Sequence, residues 1–437
     1  MLFLATCTAV SLHKSILQQS ARRHISHPSA CDVEGIAPSR CIPMNRRRII
    51  GLGSVALQLG LQLQGLPAIA TARLEGYEPS AAVTTKNAGR LFFPPLTPPL
   101  LSRATYRYEL GRNSWALEQL LTFANVSATI RTVVVRMKDG GLWVNSPQWP
   151  TGEFTSLLDE LGQVRHVVLP CNALEHAAPV KAFARRYPTA SVWVTPGQYG
   201  PFGTCGFTAA SAKLGYRVDG VLPIGKPSLG DALPPWADEF DMRTLYVSLP
   251  ENAGPVSEAA FYHKPSATLI ATDAVVFVPP EAPPIFGTYF SEQQLAPPDF
   301  WAKTVLQSVF LPLRRADVPA SSSPDETWPA FAAVRGRLVR APILRAFADS
   351  RAPAAVSEWV EDVAAMGPFD RILTAHFASP IAATSSDLQA AFAFLRGPVN
   401  EPPIECRDWA LLDSLNGFIE QNQLGAPLVY DFKAGCK

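Results

Sequence analysis

Four residues have the side-chain types and the placement of a divalent-cation site. They are Glu175 and His176 in CNALEH, Asp273 at the end of ATLIATD, and His376 at the end of RILTAH. Imidazole nitrogens and carboxylate oxygens together suit zinc or a similar ion. Each of the four follows a short apolar run, and in open α/β sheets ligands collect beyond the carboxyl ends of strands. Taken singly, each has a plainer explanation: His176 packs or caps at a helix start, Asp273 closes a turn, and His376 is a satisfied polar residue. It is their shared placement that points to chemistry. Only four histidines follow residue 72, and two of them stand at these points. His166 begins a strand and His263, in FYHKPSAT, reads as a turn residue, so both are assigned structural roles.

The elements that must position these residues are legible from periodicity. Residues 166–170 are apolar and β-branched, CNALEH reads as a polar loop, 177–187 has helical spacing, and 191–194 reads as a second strand, giving a β-loop-α-β unit. Upstream, RTVVVRMKDGGLWVNSP places two alternating runs around Lys138-Asp139-Gly140-Gly141, a hairpin signal and the expected entry to a sheet. A short helix is expected over 152–161. Strands follow in TLYVSLP, EAAFYH and ATLIATD. The Pro-rich stretch 278–324, which includes WAKTVLQSVFLPL at helical spacing, reads either as an insertion over the site or as surface padding. Helices are expected over 342–347, 354–366 and 385–395, with RILTAH restoring a strand between the last two.

The first 72 residues differ in composition from the rest and are set aside as targeting sequence. A basic, Ser- and Ala-rich segment precedes NRRRII, then an apolar run from Ile49 to Ala70, then the small-residue ending Ala70-Thr71-Ala72. Two such units in series resemble the bipartite presequence of a chloroplast protein bound for the thylakoid lumen, and the arginine run is compatible with twin-arginine export. The competing reading is a membrane anchor. Three Gln and four Gly residues between Ile49 and Ala70 weaken it, so no stable span is expected after processing. Residues 73–116, with FFPPLTPPLL, read as a Pro-rich extended arm. The domain proper is placed at 117–398, with its insertion at about 278–324 and a C-terminal extension at 399–437.

Charge and cysteine content bound the partners. Seven of the 38 basic and two of the 37 acidic residues lie in the first 72, leaving 31 against 35, a balance of −4. No basic patch or motif argues for nucleic acid. Cys171, Cys205, Cys406 and Cys436 remain and form no CxxC pair, although Cys406 and Cys436 are free to bridge in an oxidising lumen.

The order of these elements resembles the metallo-β-lactamase superfamily, and specifically the domain-of-unknown-function family 4336. The residues that carry the likeness are 140–198, 263–275 and 369–381, and it spans roughly Ile130 to Leu395. The resemblance implies an α/β fold of the αββα sandwich type. Laid on CNALEH, the superfamily's His-x-His-x-Asp-His motif puts its first two histidines at Cys171 and Ala173, its Asp at Glu175 and its last His at His176. A further histidine falls loosely at Glu251, Asp273 matches the bridging Asp, and His376 matches the final His. This implies a lost first metal site and a retained second one: a single divalent cation, zinc, held by His176, Asp273 and His376 with Glu175. Cys171 reads either as a soft ligand or, preferably, as a buried thiol. Two functions follow: a mononuclear hydrolase of a small-molecule substrate, with Glu175 as ligand or base, or a catalytically silent relative that binds a ligand or partner protein at the same rim.

Overall fold

Runs of alternating and β-branched residues build two sheets. The computed structural model describes residues 96–97, 104–123, 126–198, 214–248, 255–313, 324–422 and 425–436. The first sheet comprises β1 (Leu96–Thr97), β2 (Tyr106–Gly111), β3 (Ser114–Phe123), β4 (Val126–Arg136), β5 (Leu142–Asn145), β6 (Val164–Leu169), β7 (Ser191–Val194) and β8 (Gly220–Val221). Its order is β1-β3-β4-β5-β6-β7-β8, with β2 also on β3; β1 to β5 pair antiparallel and β5 to β8 parallel. The second sheet comprises β9 (Phe240–Val247), β10 (Val256–His263), β11 (Thr268–Ile270), β14 (Arg371–Leu373) and β15 (Ile381–Ala382), in the order β15-β14-β11-β10-β9. A two-stranded ribbon joins β12 (Val276–Phe277) to β13 (Leu338–Val339).

The sheets face each other across one apolar layer in which Val133, Val135, Trp143 and Val168 meet Phe240, Met242, Phe261 and Ile270. The outer face of the first sheet is covered by the helices Gly152–Asp159 and Leu174–Arg186, that of the second by Pro353–Ala364 and Ser385–Ala391. The result is the expected αββα sandwich, in which each amphipathic helix buries its apolar stripe on a sheet. Among the described residues, no helix is long and apolar enough to cross a membrane. The first 72 residues, read as targeting sequence, lie outside the described residues, as does Glu251.

Three expectations change. The chain enters the sheet before the predicted hairpin: β2 and the start of β3 fall inside the stretch read as a Pro-rich arm, because YRYEL alternates and WALEQLLTF is rich in apolar residues free of proline and glycine. The insertion is not padding. Trp301, Val305 and Leu306 of its helix Phe300–Ser308 share an apolar cluster with Trp409, Leu412 and Phe432 of the C-terminal extension, so two segments remote in sequence close one further core. Third, the 177–187 helix begins earlier, at Leu174.

The C-terminal extension is pinned by a Cys406–Cys436 disulfide across 30 residues. Closing a loop of that length removes unfolded-state entropy worth about 3–4 kcal/mol. Replacing both cysteines by Ser is expected to lower the stability measured in urea by up to that amount, with a steeper transition slope as the unfolded chain expands. An unchanged midpoint would show that the packing of Trp409 and Phe432 holds the extension unaided.

Candidate metal centre

Two of the four candidate residues are brought together by strand register. The parallel strands β11 and β14 pair Thr268 with Arg371 and Ile270 with Leu373, so Asp273 and His376, each three residues past its strand, stand side by side. Glu175 and His176 come from the other sheet. They occupy the first turn of the helix that follows β6, where the unpaired backbone N–H groups favour a carboxylate. Expecting them on a loop was a misplacement by one helical turn: LEH has no breaker, and the helix runs back through it to Leu174.

The loop after β6 is stitched to β10. Ala259 N–H donates to the Pro170 carbonyl at 2.7 Å and Asn172 N–H to the Ser257 carbonyl at 3.2 Å. The Asn172 side chain adds bonds to the Pro255 carbonyl and from Ser257 N–H at 2.6 and 3.1 Å. These contacts carry the helix start across the gap between sheets to the Asp273 side.

Glu175, His176, Asp273 and His376 are all buried, and one donor atom from each lies within 4.8 Å of the others. Asp273 Oδ1 is 3.3 Å from His176 Nε2 and 3.0 Å from His376 Nε2. Donors held at 2.0–2.2 Å from one tetrahedral ion are roughly 3.3–3.6 Å apart, so these separations are close to those of a ligand set. His376 Nδ1 donates to the Thr129 carbonyl at 2.6 Å, which fixes that ring nitrogen as the protonated one in the neutral imidazole and leaves the Nε2 lone pair facing the cluster. Nε2 itself is buried and, although close to Asp273, lacks the alignment of a hydrogen bond. Ser146 Oγ lies 2.5 Å from His176 Nδ1 and holds the second ring in place.

The electrostatics agree with a cation-seeking site. Burial opposes the Asp273 carboxylate, but the adjacent His176 and His376 imidazoles outweigh it and hold its pKa well below the ordinary range. Burial likewise opposes a charged His376, yet contact with Asp273 holds its pKa above the usual imidazole value. A cation entering here displaces a proton. Cys171 is the buried thiol that was preferred: its Sγ donates to Asp273 Oδ2 at 3.5 Å, and burial followed by the Asp273 charge raises its pKa, so it is protonated at neutral pH.

His166 and His263 are not among the clustered residues: His166 lies inside β6, and His263, read as a turn residue, is the last residue of β10. His166 Nδ1 is 2.8 Å from Ser191 Oγ on the neighbouring strand, and His263 Nδ1 is 2.6 Å from Ser266 Oγ. The supporting residues were not anticipated. Ser146 and Phe377, at φ of 54° and 53°, hold left-handed backbone beside the site, strain that surrounding contacts must maintain. Phe377 N–H donates to Thr129 Oγ1 at 2.7 Å, and Trp301 of the insertion packs edge-on against the Phe377 ring at 6.0 Å. The insertion therefore does lean on the His376 loop. Charged residues within apolar strands, Arg131 in TIRTVVV and Glu258 in EAAFYH, were the available signals for two further supports.

Comparison with curated proteins found no match. Among solved structures, similarity was found to a metal-soaked Flv1 flavodiiron core from Synechocystis sp. PCC6803, at 10% identity and a TM-score of 0.37 over 67% of this chain. The match spans 61% of that flavodiiron core's length. A metallo-β-lactamase from Pontibacter korlensis matches at 11% identity and TM-score 0.32, over 67% of this chain and 99% of that one. FIM-1 from Pseudomonas aeruginosa, in its mono-zinc form, matches at 9% and 0.32, over 67% and 94%. The profile of the Domain of unknown function (DUF4336) covers residues 112–311 and 322–394, more than half of the chain, and begins before the Ile130 expected from sequence; the protein belongs to that family.

Proposed function

We propose that the chain holds one divalent cation, zinc, through His176, Asp273 and His376 with Glu175 alongside, and uses it for hydrolysis. The observation that carries this reading is the convergence of four buried donors from three separate chain segments within 4.8 Å. When bound, such an ion acts as a Lewis acid and makes water acidic enough to lose a proton near pH 7. The chain's own residues do the rest. Thr129 and Ser146 fix the two imidazoles, Asp273 supplies the anionic charge, and the Glu175 carboxylate stands within the cluster as ligand or proton acceptor. Metal analysis of the purified processed chain is expected to give one zinc per molecule. A chain that takes up no zinc, manganese or iron at saturation would sink the proposal.

A second reading is favoured by two specific observations: the burial of all four side chains, and Cys171 and Ala173 standing where the resemblance expects histidines. It is a catalytically silent relative that binds a ligand or partner at the same rim. A zinc-loaded chain inactive on esters, thioesters, phosphodiesters and β-lactams alike would favour it.

We further propose import into a chloroplast and processing before residence in the thylakoid lumen. The two targeting-like units in series support this, and the Cys406–Cys436 disulfide suits an oxidising compartment. N-terminal sequencing of the mature protein is expected to begin near Arg73, with Asn125 of the Asn-Val-Ser sequon unglycosylated. Recovery of an intact Ile49–Ala70 segment in an integral-membrane fraction would overturn processing.

A further inference from the structure

Asp273 lies beyond the end of β11, outside the regular ladder, yet its carboxylate must hold one direction to face both imidazoles. Its backbone is gripped from two sides by buried charged groups of other strands. Glu258 of β10 accepts through a single oxygen, Oε1, from both Asp273 N–H and Ala274 N–H, each at 2.6 Å. Arg340, which follows β13, donates through Nη1 to the Ala274 carbonyl at 2.9 Å and lies 3.9 Å from Glu258 Oε2. The guanidinium is itself fixed by a two-pronged pair with Asp349, Nε to Oδ2 at 2.9 Å and Nη2 to Oδ1 at 2.8 Å. Glu258, Arg340 and Asp349 are all buried.

A carboxylate buried close to Asp273, itself an anion, is an electrostatically costly way to hold a turn that side-chain amides or hydroxyls could serve. A fully partnered charge network does, however, fix direction more tightly than neutral groups do. We propose that Glu258 is a positioning residue for the metal centre: it clamps the Asp273–Ala274 N–H pair, with Arg340 and Asp349 as its counterweight, so that Asp273 Oδ1 stays aimed between His176 and His376. This rests on the reading of the cluster as a cation site. It adds that the site's ion affinity is set from β10, a strand that contributes no ligand.

The test uses cobalt(II) as the probe on the full processed chain, with the visible absorption spectrum and the binding constant as readouts, beside the melting temperature of the metal-free protein. Glu258→Ala is expected to weaken cobalt binding by about 10–100-fold and shift the spectrum. Glu258→Gln keeps an acceptor oxygen at the same reach and is expected to restore binding to within a few-fold, even where its melting temperature falls. A residue serving stability alone would lower the melting temperature and leave the affinity and spectrum of the folded protein unchanged. Should Glu258→Ala fail to fold, Glu258→Asp, which keeps the charge but withdraws the oxygen by one methylene, is expected to show the same weakening. Wild-type affinity and spectrum in Glu258→Ala, or in Glu258→Asp where only that variant folds, overturns the positioning role while leaving the metal reading intact. A wild-type chain that binds no cobalt overturns both.

Discussion

Replacement of His376 by Ala is expected to abolish stoichiometric zinc, and replacement of His176 to do the same. Structural zinc binding is worth about 10–16 kcal/mol over four ligands, so one ligand accounts for about 3–4 kcal/mol, a loss of two to three orders of magnitude in affinity. The loss should be visible without any assay of activity. Zinc at 100 times its dissociation constant stabilises a folded chain by about 2.7 kcal/mol, so the wild type should melt higher on adding the ion and the variants should not. Asp273→Asn is the sharper companion, since it keeps the shape and removes the charge that two imidazoles face at 3.0 and 3.3 Å. Undiminished zinc content in either histidine variant would show that the ion is held elsewhere.

The second large effect is expected from the pair that supports the His376 loop. Glu118 and Arg131 sit directly opposite on β3 and β4, both buried, and form an ion pair. Arg131 also reaches across the sandwich, donating to the Thr374 carbonyl at 2.7 Å and the Phe377 carbonyl at 2.6 Å, on either side of His376. Glu118→Ala strands a buried guanidinium and should cost about 3–5 kcal/mol in urea unfolding. Replacing both partners, Glu118→Leu with Arg131→Met, should recover only part of that stability: the apolar pair removes the stranded charge, but the Thr374 and Phe377 carbonyls are left without their donor. It should not recover zinc affinity, because the two loop carbonyls lose their donor. A double variant that binds zinc as the wild type does would confine the pair to stability.

The αββα fold was legible because it rests on local patterns. Short apolar runs mark β4, β5 and β10, valine-rich runs mark β6 and β7, and the helix Pro353–Ala364 falls where helical spacing put it. The site's ligand types were legible for a related reason. Asp273 and His376 each stand three residues past a short apolar run, and parallel pairing of those two runs converts equal spacing into proximity. What pattern could not supply was anything settled by partners distant in sequence. The start of the Leu174–Arg186 helix depends on bonds from the preceding loop to β10, and the core shared by the insertion and the C-terminal extension joins residues about 100 positions apart. The Cys406–Cys436 pairing was one option among several until the fold brought the two sulfurs together. The supports of the site were the least visible of all. Thr129 holds His376 through a backbone carbonyl, and Glu258 holds Asp273 through backbone N–H groups, and every residue but proline carries both. Such groups have no signature in sequence: their chemistry is universal, and only the tertiary structure selects which of them face the imidazoles and the carboxylate.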